Sequence, residues 1–127
     1  MKRLMLVEDN PKDLKRGAEI ARDAGFQVVD AHASLIPAKT YFDDGLGGFR
    51  SLPDVIVLDL NLGLDSGFDL LRFWHSTPRL NSIPLIVWSV MGDEQREICN
   101  LFKVTKVVAK WEGDEVMRAA LLDLSVT

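Results

Sequence analysis

Val55-Ile56-Val57-Leu58-Asp59 is a run of four apolar residues, three of them β-branched, that ends in a carboxylate. An apolar run this short, with no polar alternation, reads as a strand covered on both faces, as in a parallel sheet under helices. A carboxylate at the carboxyl end of such a strand stands where open α/β sheets bind their ligands. Asp59 is therefore the first candidate for a reactive group, and the rest of the chain is read for what positions it.

The chain of 127 residues fits one domain, and its hydrophobic content of 47% is enough to bury a core. No apolar stretch approaches the roughly 18–20 residues that span a bilayer. The N-terminal Met1 to Val7 is too short for a signal peptide, and acidic residues follow at once. The lone Cys99 has no partner for an internal disulfide and reads as a small buried hydrophobe in a reducing compartment. These features predict a cytoplasmic protein. A net charge of −4, with no Lys/Arg cluster, argues against a nucleic-acid surface.

Strand and helix patterns alternate along the chain. Lys2 to Val7 reads as a strand ending in Glu8-Asp9. Asn10 is a candidate N-cap, with Pro11 at the first helical position and Asp13 in the first turn. That helix runs to about Ala24, with Leu14, Ala18, Ala21 and Ala24 inward, and Gly25 stops it. Gln27 to Ala31 is a second strand, and Ser34 to about Phe42 a helix carrying Leu35, Ala38, Tyr41 and Phe42. Asp43 to Pro53, with three glycines, reads as a loop, and it lacks the Gly-Lys-Ser/Thr pattern of a phosphate cradle. After Asp59 come a loop over Leu60 to Asp65 and a helix over Ser66 to Ser76. Then follow a strand over Pro84 to Trp88, a helix over Asp93 to Leu101 and a strand over Lys106 to Ala109. The last helix, Asp114 to Leu124, is expected to turn Val116, Ala119, Ala120 and Leu124 inward. Five such alternations predict right-handed βαβ units, a parallel sheet and helices on both faces. There is no internal repeat and no linker, so residues 1–127 are expected to form one domain with no output domain after it.

The strand ends carry the chemistry. The first delivers Glu8 and Asp9, the third Asp59, the fourth Ser89 and the fifth Lys110. Each has a bland reading: helix-terminal charges for the first two, a loop serine, a surface lysine. In a parallel sheet, however, all these ends share one edge. Three crowded carboxylates repel one another, which a hard divalent cation such as Mg2+ relieves. A hydroxyl and an ammonium beside that cation complete a phosphoryl site, in which an Asp carboxylate can act as nucleophile and form an aspartyl phosphate. His75 and His32 have no metal-ligand partner at useful spacing and read as surface and loop residues. Trp74, Trp88 and Trp111 are candidates for core or interface.

On Val7-Glu8-Asp9, Asp59-Leu60-Asn61, Gly67, Ser89 and Lys110, the chain resembles the receiver domain of two-component response regulators over essentially its whole length. The resemblance implies a flavodoxin-like α/β fold, a doubly wound five-stranded parallel sheet of order 2-1-3-4-5. It implies that Asp59 accepts a phosphoryl group from a kinase phosphohistidine. Asp9, Asp59 and the backbone carbonyl of Asn61 would bind Mg2+, and Glu8 would do so directly or through water. Lys110 would pair with Asp59 or the phosphoryl oxygens, and Ser89 would hydrogen-bond the phosphate. Partners implied are a sensor histidine kinase or phosphotransfer protein, and a second copy through the fourth helix, fifth strand and fifth helix. Such a protein is no enzyme in the usual sense, although it removes its own phosphoryl group.

Four positions depart from the family. Val107 replaces the usual aromatic switch residue, Trp111 replaces the proline after the lysine, Val90 replaces a small residue, and Gly63 replaces a loop proline. A cis bond before a non-proline residue costs ~2.5–4 kcal/mol, so the Lys110–Trp111 bond is expected to be trans and Trp111 exposed. Val107 and Trp111 suggest signalling by an altered surface change involving Trp111 and the Asp93–Leu101 helix. They also sustain a second reading, a degenerate receiver that binds partners without phosphorylation. A phosphohydrolase is disfavoured, because Asn61 stands where such enzymes place a second Asp.

Overall fold

A computed structural model of the chain describes residues 1–32, 35–62 and 65–125. The elements are β1 (Arg3–Val7), α1 (Pro11–Asp23), β2 (Gln27–His32), α2 (Leu35–Leu46), β3 (Val55–Leu58), β4 (Asn61–Leu62), β5 (Asp65–Ser66), α3 (Gly67–Ser76), β6 (Leu85–Ser89), α4 (Asp93–Leu101), β7 (Lys106–Ala109), a 3-10 turn (Lys110–Glu112) and α5 (Asp114–Ser125). Five strands form one parallel sheet in the order β2-β1-β3-β6-β7. With β4 and β5 set apart as a small antiparallel pair, this is the flavodoxin-like order expected.

The apolar run at Val55–Leu58 is buried on both faces, as its composition predicts. Its side chains alternate between two cores. Ile56 and Leu58 join Met5, Val7, Leu85 and Val87 under Phe42, Leu71 and Trp74 of α2 and α3. Val55 and Val57 join Leu4, Leu6, Ile86 and Trp88 under Ile20, Ala21, Met117 and Leu121 of α1 and α5. Each fully buried Val, Ile or Leu contributes about 1.5–3 kcal/mol, so the strand that carries Asp59 is among the most firmly held parts of the chain.

Helix α1 begins as the sequence predicts: the Asn10 side chain accepts from the N–H groups of Lys12 and Asp13, and Pro11 follows. Its buried face includes Gly17 and Ile20 as well as Ala18, Ala21 and Ala24, while Leu14 is half-buried. A Cβ at Gly17 would stand 2.9 Å from the Trp88 ring, so the missing side chain lets α1 lie against that indole. Trp74, Trp88 and Cys99 are buried.

The structure corrects five local expectations. Strand β2 runs on through His32, expected in a loop, which pairs with Val7. Helix α2 runs past Phe42 to Leu46, because Leu46 and Leu52 pack on the core and Gly45 leaves room for the Leu52 side chain. The loop after Asp59 contains the β4–β5 pair, and Gly63 lies outside the described residues. Ser66 is an N-cap whose hydroxyl accepts from Phe68 N–H, so α3 starts at Gly67. In α5 the inward residues are Met117, Ala120 and Leu121, whereas Val116 and Ala119 are exposed and Leu124 is half-buried. The stripe 117-120-121-124 is the true i, i+3, i+4, i+7 face, one residue out of phase with the expected one.

Candidate functional site

Sheet register builds the site. Val7 pairs with Leu58, Leu58 with Val87, and Ser89 with Ala109. Glu8, Asp59, Ser89 and Lys110 therefore emerge at one edge, and Asp59 N–H donates to the Val7 carbonyl at 2.9 Å. Gly67 fixes the turn below: a Cβ there would stand 2.3 Å from the Asp59 carbonyl oxygen and 2.6 Å from Leu60 Cα. The Gly67 N–H instead donates to the Leu60 carbonyl at 2.8 Å. A side chain at that position would push α3 off the segment that carries Asp59.

Both carboxylate oxygens of Asp59, which is 4% exposed, are engaged. Its Oδ1 accepts from the Ser89 hydroxyl at 2.5 Å and from Asn61 N–H at 3.0 Å. Its Oδ2 accepts from Lys110 Nζ at 3.1 Å. Ser89 is buried, and its Oγ in turn accepts from Leu60 N–H at 3.3 Å and Asn61 Nδ2 at 3.2 Å. The Asn61 amide also donates to the Val90 carbonyl, while the Val90 side chain faces solvent at the rim.

Lys110 Nζ also stands 2.6 Å from Glu8 Oε1 and 2.8 Å from Asp13 Oδ2, with only 9% of the lysine side chain exposed. It lies over the Trp88 ring, 5.2 Å from its centre. Burial works against the lysine's charge, but Asp13, Glu8 and Asp59 outweigh it and hold the ammonium above its ordinary range. Glu8 is wholly buried, and burial pushes its carboxyl up to about 7. The neighbouring Asp59 adds to that rise, while Lys110 and the Asn10 N–H oppose it.

Glu8, Asp9 and Asp59 each bring one carboxylate oxygen within 4.8 Å of the others. Two of these three, Glu8 and Asp59, pair with the Lys110 ammonium, which also pairs with Asp13 outside the trio. Hard oxygen donors in that number, with the Glu8 proton affinity raised by burial, suit a hard divalent cation.

Val107 is half-buried, and its carbonyl accepts from Arg96 at 3.3 Å. All peptide bonds among the described residues are trans, and Trp111 is 74% exposed, as its sequence context predicts. Asp13, Arg96 and Glu112 were not picked out by the strand-end pattern. Asp13 reads in sequence only as a first-turn acid, yet one helical turn beyond Asp9 brings it onto Lys110. His75 is exposed on α3, as its surface reading expects; its Nδ1 lies 3.0 Å from the Phe102 carbonyl and its ring packs edge-on against Phe102.

No family model matches the chain. Among curated proteins it is 26% identical over 99 residues to the polar-differentiation response regulator DivK of Brucella abortus, covering 75% of this chain and 74% of that one. Among solved structures it resembles the phosphorylated cyanobacterial phytochrome response regulator RcpA at 26% identity and TM-score 0.80, over 98% of this chain and 91% of that one. A response regulator receiver domain from Rhodospirillum rubrum superposes at TM-score 0.81 and 23% identity, over 98% and 94% of the two chains. No helix among the described residues is long and apolar enough to cross a membrane.

Proposed function

We propose that this chain, a receiver domain of the response-regulator family, takes a phosphoryl group onto Asp59 from the phosphohistidine of a histidine kinase or phosphotransfer protein. An Asp59 carboxylate oxygen attacks phosphorus, the P–N bond to the donor imidazole breaks, and the imidazole leaves with that electron pair. The product is a mixed carboxylic–phosphoric anhydride, which water later hydrolyses to free phosphate and the carboxylate. The chain is thus a phosphoacceptor whose self-dephosphorylation times a signal, not an enzyme that processes a substrate. The observation that carries the reading is the arrangement around Asp59: a buried carboxylate held by the Ser89 hydroxyl, Asn61 N–H and Lys110 ammonium, beside Glu8 and Asp9.

Glu8, Asp9, Asp59 and the backbone carbonyl of Asn61 are the groups we assign to Mg2+. A bound Mg2+ supplies charge neutralisation for the incoming phosphoryl oxygens. Lys110, on Asp59 Oδ2, provides the second positive charge, and the Ser89 hydroxyl would turn from the carboxylate to a phosphoryl oxygen. RcpA, 26% identical to this chain, is a phosphorylated response regulator, which supports phosphoryl acceptance here. The signal then passes through protein contacts, a second copy on the α4–β7–α5 face among the candidates.

The test is incubation with Mg2+ and acetyl phosphate, followed by intact-protein mass measurement. A gain of one phosphoryl group that Asp59→Asn abolishes is expected. No gain in the wild type would leave the phosphorylation-independent binding module, a reading to which the exposed Trp111 and the aliphatic Val107 lend some support.

A further inference from the structure

Lys110 has three N–H donors and three carboxylate partners, Glu8 at 2.6 Å, Asp13 at 2.8 Å and Asp59 at 3.1 Å. Two of those partners, Glu8 and Asp59, also belong to the carboxylate cluster that suits a cation. A divalent cation there draws on the same carboxylates and repels the ammonium. Lys110 and the cation therefore compete for Glu8 and Asp59, although phosphoryl transfer needs both positive charges at once. Asp13 is the partner of Lys110 that stands outside the cation cluster.

We infer that Asp13 is a positioning residue that holds Lys110 at the rim of the site when a cation occupies Glu8, Asp9 and Asp59, so that the two positive charges coexist. Asp13 is placed to do this. It sits on the first turn of α1, its side chain 21% exposed and facing Lys110. Its other oxygen is 3.5 Å from Arg16 Nη1, and Arg16 Nε lies 2.9 Å from Asp114 Oδ1 at the start of α5. The Arg16 guanidinium stacks 4.9 Å from the Trp88 ring centre, on the same indole that Lys110 covers. The carboxylate is thus braced by Arg16 as well as by Lys110. Removing its charge leaves Lys110 on Glu8 and Asp59 alone, where it competes harder with the metal.

This inference rests on the proposed metal and phosphoryl site, and a double-mutant cycle separates the two. Mg2+ affinity is read by tryptophan fluorescence titration of the full chain, with Trp88 beneath Lys110 as a reporter. Asp13→Asn should weaken Mg2+ binding by about fivefold, a coupling of the size that contacting charged groups show. Asp13→Glu, which keeps the charge, should recover most of it. Lys110→Ala alone should tighten Mg2+, and in the Lys110→Ala background Asp13→Asn should have no further effect. Equal weakening with and without Lys110 would mean that Asp13 acts on the ion by its charge alone and would overturn the inference. So would an Asp13→Asn affinity equal to wild type. Absence of Mg2+ binding in the wild type would instead sink the metal assignment itself, and this inference with it.

Discussion

The carboxylate of Glu112 accepts a hydrogen bond from the backbone N–H of Ala109 at 2.7 Å, closing the 3-10 turn whose first residue is Lys110. The same oxygen lies 3.4 Å from Arg96 of α4, and Arg96 also donates to the Val107 carbonyl. Glu112 and Arg96 thus join α4 to the segment that presents the ammonium, at the position where Val107 offers no aromatic ring. Glu112→Ala should lower stability by about 0.5–1.5 kcal/mol, the net value of one hydrogen bond. It should also slow phosphorylation by acetyl phosphate, because the Lys110 backbone loses its tether. A urea midpoint that falls while the phosphorylation rate stays at the wild-type value would show that the turn does not position Lys110.

Gly67 offers a test of the site's scaffold. The Cβ of Gly67→Ala meets backbone atoms of Asp59 and Leu60, which cannot rotate away as a side chain tip can. Overpacking of this kind costs about 1–3 kcal/mol. The variant should unfold at lower urea, and its folded fraction should phosphorylate slowly because the Asp59–Leu60 segment has moved. A wild-type urea midpoint would mean that α3 can withdraw without strain.

Ser89 holds three groups at once: Asp59 Oδ1, Leu60 N–H and the Asn61 amide. Ser89→Ala leaves buried polar groups with a partner missing, at about 1–3 kcal/mol. Phosphorylation at Asp59 should persist but slow, since Lys110 and Asn61 N–H still contact the carboxylate. Intact-mass time courses with acetyl phosphate measure this, and an unchanged rate would exclude a role for the hydroxyl in transfer.

Much of this was legible in the residues because sheet register is a local consequence of pattern. Val55–Leu58 is short, β-branched and uninterrupted, which favours a buried strand, and once such strand ends share an edge, Glu8, Asp59, Ser89 and Lys110 are brought together. What escaped the sequence depended on contacts far apart in the chain. The phase of α5 is set by which face finds Leu4, Leu6 and Trp88, and two overlapping stripes were available, only one of which fits the sheet. The extension of α2 to Leu46 depends on Leu52 folding back over Gly45. Asp13 reached Lys110 across 97 residues, and nothing in its own segment distinguished it from an ordinary helix-capping charge.

Trp111 separates the chemistry from its reading by a partner. The residue is 74% exposed next to Lys110 in the chain, and Val90 is exposed next to Ser89, so two exposed apolar residues adjoin the proposed phosphoryl site in sequence. Neither fills a core, so Trp111→Ala should change stability by no more than ~0.5 kcal/mol. A small donor needs only the site itself, and acetyl phosphate should label the variant at the wild-type rate. A protein donor must dock over the site, where aromatic side chains are the usual anchors, so transfer from a phosphorylated histidine kinase should fall by about tenfold or more. The decisive measurement is the ratio of the two rates. Equal losses with both donors would place the effect of Trp111 on Lys110 and the site, and no loss with either would remove Trp111 from the docking surface.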